Sequence, residues 1–261
     1  MLLIKTLKKK HLASTLKKGE FCFNMPSVFN GGVNLAPAQE DRWDSHLSFD
    51  ASHIIVAPII YKDESGPHYG TAEKLADYAR IHLMLTESKH TPLCSFRKIQ
   101  NSEYVWKYGA IFLRLGDVVD RIRAEFEHDS FILLDSNALL ERIRKKTAFC
   151  ARSVHYGDID ADFRKYIDQV GEGQAGMFQK DISYSWQQEY RIILPPQKDS
   201  DRVLIELGTI EDIAIGGDLE LLQNGVFLGR DDDHVNEVYQ NLERDGLTVS
   251  DVFELPSTHD H

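Results

Sequence analysis

The apolar run Ile192-Ile193-Leu194 stops at Pro195-Pro196. A run of that kind reads as a core strand, and proline ends it because it has no N–H to give to a ladder. Counting back in twos sets Gln187, Glu189 and Arg191 on one face and Gln188, Tyr190 and Ile192 on the other. The stretch Met177–Leu194, MFQKDISYSWQQEYRIIL, thus predicts a strand that carries three polar side chains into a core. Unpaired burial costs a few kcal/mol for each, so the three must meet solvent, one another or a ligand. An edge strand with a Glu189–Arg191 pair is the structural alternative.

Gln187-x-Glu189 places an amide and a carboxylate about 7 Å apart along a strand. That spacing suits gripping a sugar hydroxyl and a neighbouring nucleophile together. A Gln-x-Glu triplet on a strand resembles the catalytic signature of one branch of the mono-ADP-ribosyltransferases, in which the Glu binds the nicotinamide-ribose 2′-hydroxyl of NAD. The segment HLASTLKKGEFCFNMPSVFN, residues 11–30, is similar to the opening of a broad bacterial family of ADP-ribosyltransferase-like toxin and abortive-infection proteins. The Cys94-Ser95-Phe96 strand followed by Trp106 and Tyr108 is similar to the middle of that family. Lys5 or Thr6 stands where the family usually has a first-strand Arg or His.

The resemblance implies an NAD cleft built by the first strand and the helix–strand unit after it, with NAD as substrate and no metal. Glu189 would bind the ribose hydroxyl and stabilise an oxocarbenium-like centre, and Gln187 would orient the acceptor. Tyr184, Trp186 or Phe29 would stack on nicotinamide. Lys5, Asn24, Ser27 and Arg97 would hold ribose or phosphate. The implied activity is transfer of ADP-ribose to RNA, DNA or protein in phage defence or a toxin–antitoxin system, with an antitoxin or chaperone as further partner. A non-catalytic interaction protein with the same fold is the alternative, and a metal-dependent nuclease a more distant one.

Local patterns order the rest of the chain. Leu2–Leu7 reads as a strand, Lys9–Lys18 as a helix stopped by Gly19, and Glu20–Asn24 as a strand turned by Met25-Pro26-Ser27. Gly31–Ser52 reads as a long loop, His53–Tyr61 as a buried strand and Tyr69–Glu87 as a helix. Strands are expected at Thr91–Arg97, Ala110–Leu115, Phe131–Asp135, Ser153–Asp158, Val203–Leu207 and Ile210–Ile215. Helices are expected at Gly116–Glu127, Asn137–Thr147 after a Ser136 cap, Asp162–Val170 and Val235–Arg244. Gly171, Gly173 and Gly176 suggest a flexible approach to the Met177 stretch. Together these give one α+β domain over residues 1–261, with a mixed, largely antiparallel β-sheet core and flanking helices, ADP-ribosyltransferase-like.

Charge is uneven along the chain. The net charge is −11, yet the first 18 residues hold six lysines and no acid. Residues 199–261 hold 16 Asp and Glu against three Arg. Either the lysines make a basic face for an anionic ligand, or the two ends attract one another. Three scattered cysteines (Cys22, Cys94, Cys150) suit neither a disulfide framework nor a zinc site, and the histidines show no metal spacing. No apolar run reaches the roughly 18 residues of a membrane span, and the first residues lack a signal-peptide pattern. A cytoplasmic location without membrane contact is the expectation. Neither Gly-x-x-x-x-Gly-Lys-Ser/Thr nor Gly-x-Gly-x-x-Gly occurs, which removes support for a P-loop NTPase or a Rossmann dehydrogenase.

Overall fold

The computed structural model describes residues 1–28, 46–50, 55–56, 59–63, 66–69, 73–74, 80–83, 86–198, 200–229 and 231–253. Its centre is an eight-stranded sheet: β1 (Leu2–Leu7), β2 (Glu20–Asn24), β3 (Leu93–Lys98), β4 (Ser130–Asp135), β5 (Cys150–Ser153), β6 (Glu189–Ile193), β7 (Arg202–Glu206) and β8 (Ala214–Asp218). Six strands run in the order β5-β6-β3-β1-β4-β8, while β2 and β7 form a pair that joins the rest at one rung, Asn24 opposite Leu93. Every pairing in this sheet is antiparallel.

Alternation along the strands makes two unlike faces. On one, Leu3, Phe96, Ile132, Leu134 and Ile192 pack with Leu139 and Ile143 of the helix α3 (Ser136–Arg144) and with Leu12 and Leu16 of α1 (Lys9–Lys18). The other face carries two separate apolar clusters. Ile4, Phe131 and Leu133 meet Val119 and Ile122 of α2 (Val118–Phe126). Leu93 and Ile193 meet Phe163 and Ile167 of α4 (Ala161–Val170). Between those clusters, the same face presents Arg97, Ser95, Glu189 and Arg191. A three-stranded sheet (Tyr104–Lys107, Ala110–Leu113, Val226–Leu228) closes over a further cluster with α5 (Asp232–Arg244).

Local chemistry accounts for the ends of α1. Its first amide, Lys9 N–H, donates to Asp129 Oδ1 at 2.5 Å, which satisfies one of the open donors of a helix start. Gly19 closes it in the left-handed region at φ 59°, with its N–H on Thr15 O at 2.8 Å. A side chain there would also collide, because a Cβ would lie 2.4 Å from Gly208 O.

Several boundaries move from the sequence expectation. The strand of the Met177 stretch begins only at Glu189. Ile182–Gln187 is a 3-10 turn and Gln188 is left-handed at φ 47°, so Gln187 is not a strand residue. The described parts of Tyr69–Glu87 include strands Glu73–Lys74 and Arg80–Leu83, not a long helix. There Arg80–Leu83 pairs with Leu47–Asp50 in an antiparallel ladder, so the three-and-four spacing does not make a helix at this place. Glu172–Gly176 is a short helix instead of a flexible approach, and Asp135 caps α3 in place of Ser136. The strand expected from Ile210 starts at Ala214, and Trp106 lies within a strand. The Gly31–Ser52 loop and the His53–Tyr61 strand fall mostly outside the described residues, though Leu47–Asp50, within the expected loop, is strand, as are Ile55–Val56 and Ile59–Asp63.

Candidate functional site

The polar patch lies where the sheet divides. β6 pairs with β3 along its whole length, from Glu189–Arg97 to Ile193–Leu93. On the opposite edge of β3, β1 reaches only Lys98 and Arg97, and β2 reaches only Leu93. Lys98 N–H donates to Gln188 O at 2.8 Å and Leu194 N–H to Pro92 O at 2.9 Å. By the alternation of an antiparallel ladder, Ser95 then turns its backbone groups away from β6, toward the gap. Neither β1 nor β2 supplies it a ladder partner. Lys5 Nζ donates to Ser95 O instead, at 2.8 Å.

A cavity of about 570 Å³ opens at this division, walled by β1, α1, β2, β3 and the Lys180–Glu189 stretch. Its ionisable lining is Lys5, Lys8, Arg97, Lys180 and Arg202 against Glu20 and Glu189, with His11 and His128 beside them. A cavity richer in cations than in carboxylates, within a chain of net charge −11, focuses a positive field and draws anions.

Glu189 sits in the inner wall and is buried. Lys180 Nζ donates to its Oε1 at 2.8 Å, while Arg191 Nε and Ser95 Oγ donate to its Oε2 at 2.8 and 3.0 Å. Burial pushes the carboxyl up, but the charges and hydrogen bonds of Arg191 and Lys180 outweigh it and hold the acid well below the usual range. Its backbone N–H donates to Tyr156 OH at 2.7 Å. Burial, then the Glu189 charge, raises that phenol. Lys180 also donates to Gln187 Oε1 at 2.9 Å, so one buried ammonium holds the amide and the carboxylate together. On the β1 side, Thr6 Oγ1 and His128 Nδ1 are 2.8 Å apart. Burial, then Lys5 and Lys8, push His128 down to about 4, so its ring is neutral.

No known family, curated protein or solved structure matches the chain.

Of the residues singled out in the sequence, Lys5, Asn24, Arg97, Trp186, Gln187 and Glu189 all line the one cavity. Tyr184 is outside that lining, and Lys180 Nζ lies 4.6 Å from its ring centre. The Trp186 ring carries Arg121 4.1 Å from its centre and Phe126 at 5.9 Å. Ser27 lies in the 3-10 turn Pro26–Val28, its side chain beyond what is described, and Phe29 falls outside the described residues. Sequence reasoning missed Lys180, Ser95, Tyr156 and His128. A lysine in the middle of the otherwise apolar approach Met177-Phe178 was the available signal for the first. The others join the site only through tertiary contact. Among the described residues, no cluster of three His, Cys, Asp or Glu is placed to hold a metal ion, and no helix is long and apolar enough to cross a membrane.

Proposed function

We propose that the chain is an NAD-dependent mono-ADP-ribosyltransferase. The observation that carries this reading is an ionised carboxylate, Glu189, in the wall of a cation-lined cavity at the division of the sheet. In such a reaction the bond from ribose C1 to nicotinamide nitrogen breaks and nicotinamide leaves with the electron pair. Positive charge grows on the sugar, and a fixed carboxylate favours that charge more in the transition state than in the substrate. The acceptor's nucleophile then attacks C1 and gives up its proton. Lys5 and Lys8, both in the lining, would draw the anionic dinucleotide into the cavity.

The acceptor would be RNA, DNA or a protein side chain, with phage defence or a toxin–antitoxin pair as the setting and an antitoxin or chaperone as partner. Mass spectrometry of RNA and protein from cells expressing the chain would reveal which carries ADP-ribose. The first test is nicotinamide release from NAD by the purified protein. It is expected for the wild type and lost in Glu189→Asp, which keeps the charge but withdraws the carboxylate by one methylene.

A second reading is a binding protein without catalysis. It is favoured by the three donors that already occupy the Glu189 carboxylate. Wild-type protein that is folded and releases no nicotinamide would decide for it.

A further inference from the structure

Three buried N–H donors, on residues that line the cavity, have no acceptor. Gln187 is 5% exposed and Arg97 8% exposed, and both line the cavity with Trp186. Lys180 holds the carbonyl end of the Gln187 amide at 2.9 Å, which fixes the amide orientation and leaves Nε2 buried and unpartnered. Arg97 spends one terminal nitrogen on Trp186 O at 2.6 Å and the other on Glu103, and its Nε is left over. Trp186 Nε1 is likewise buried without a partner. The three residues are neighbours: Gln187 follows Trp186 in the chain, and Arg97 grips the carbonyl of Trp186.

Buried donors without acceptors are rare in folded proteins, and each carries a free-energy penalty that a fitting ligand relieves. All three orphaned atoms are donors. A ligand group that is itself a donor gains nothing from them, whereas one offering several oxygens and no hydrogen satisfies them together. We propose that Arg97, Trp186 and Gln187 form an oxyanion subsite, taking a phosphate or a carboxylate group, with Lys180 as the residue that sets the Gln187 donor. Trp186 then acts through its indole N–H and not through its ring face. The subsite does not depend on any chemistry at Glu189. Its occupant would be the diphosphate of a dinucleotide or the carboxylate of an acidic acceptor.

Calorimetric titration of the wild type with pyrophosphate and, separately, with glutarate, both without NAD, tests the subsite and tells the two sources apart. Binding of either is expected, and the one that binds names the source. Trp186→Phe removes the indole N–H donor and leaves a smaller aromatic ring, so affinity should fall about tenfold, the size of one charge-assisted hydrogen bond. Gln187→Glu replaces a donor with a second anion and should weaken binding further. Trp186 packs on Phe126 and Arg121, so the Trp186→Phe variant loses some packing and is titrated well below its own melting temperature, where it is folded. Failure of the wild type to bind either anion overturns the proposal, as does undiminished binding by both variants. Neither failure would affect nicotinamide release.

Discussion

Glu189 illustrates how far burial changes what a substitution means. On a solvent-facing strand, Glu189→Gln would alter stability by less than about 1 kcal/mol. Here it would leave Lys180 and Arg191 as buried cations without their carboxylate, and the expected loss is about 3–5 kcal/mol. Urea unfolding of the variant at neutral pH measures it. Since the folded acid lies below its ordinary value of 4.5, its contribution is complete above that pH and fades as pH falls through it. Wild-type stability should therefore drop more steeply than that of Glu189→Gln as the solution is acidified below about pH 5. His128 adds a second slope of the same sign. It is held to about 4 when folded against 6.5 when free, so the unfolded chain takes up the proton first and stability declines as pH falls from 6.5 toward 4. His128→Gln should remove that slope from a pH series of unfolding midpoints.

At the scale of elements, α1 and its two flanking strands follow from local sequence, and one residue enforces the join. Gly19→Ala would place a side chain in the left-handed region and 2.4 Å from Gly208 O. The left-handed strain alone is about 1–2 kcal/mol, so a total loss above about 2 kcal/mol is expected in denaturant unfolding. The segments Leu2–Leu7, Lys9–Lys18 and Glu20–Asn24 were legible because each has its own period and its own stop signal. The end of the Met177 stretch was only half legible. Period two placed Glu189 and Arg191 on one face, as they are, but nothing local announced the left-handed Gln188 that takes Gln187 off the strand. The two side chains meet all the same, because Lys180, nine residues before Glu189, binds both. Ser95 was illegible for a different reason. Its place depends on where β1 and β2 stop pairing with β3, and no single segment encodes that.

Across the whole molecule, two of the front lysines pair with carboxylates far away in the sequence. Lys9 reaches Asp218 in the acidic C-terminal part at 2.8 Å, and Lys8 reaches Glu127 at 3.0 Å. Lys5 and Lys8 also line the cavity. Exposed pairs of this kind contribute about 0–1 kcal/mol each and are screened by salt. Changing Lys8, Lys9 and Lys10 to Glu together should lower the melting temperature at low ionic strength, and added salt should recover most of the loss. A deficit unchanged by salt would show that the lysines act through packing instead.

The pairing of β2 with β7 joins Glu20 to Glu206 and Asn24 to Arg202. A ribosome adding about 5–20 residues per second needs roughly 10–35 s to travel between those partners. Once it has left the tunnel, the segment Glu20-Phe21-Cys22-Phe23-Asn24 waits out the rest of that interval with its ladder partner not yet made. A short, aromatic-rich strand in that state invites pairing with other nascent chains. Lys17 and Lys18, separated from it by Gly19, are charges of the kind that discourage such encounters. The strand that helps to wall the cavity is thus made long before the strand that protects it.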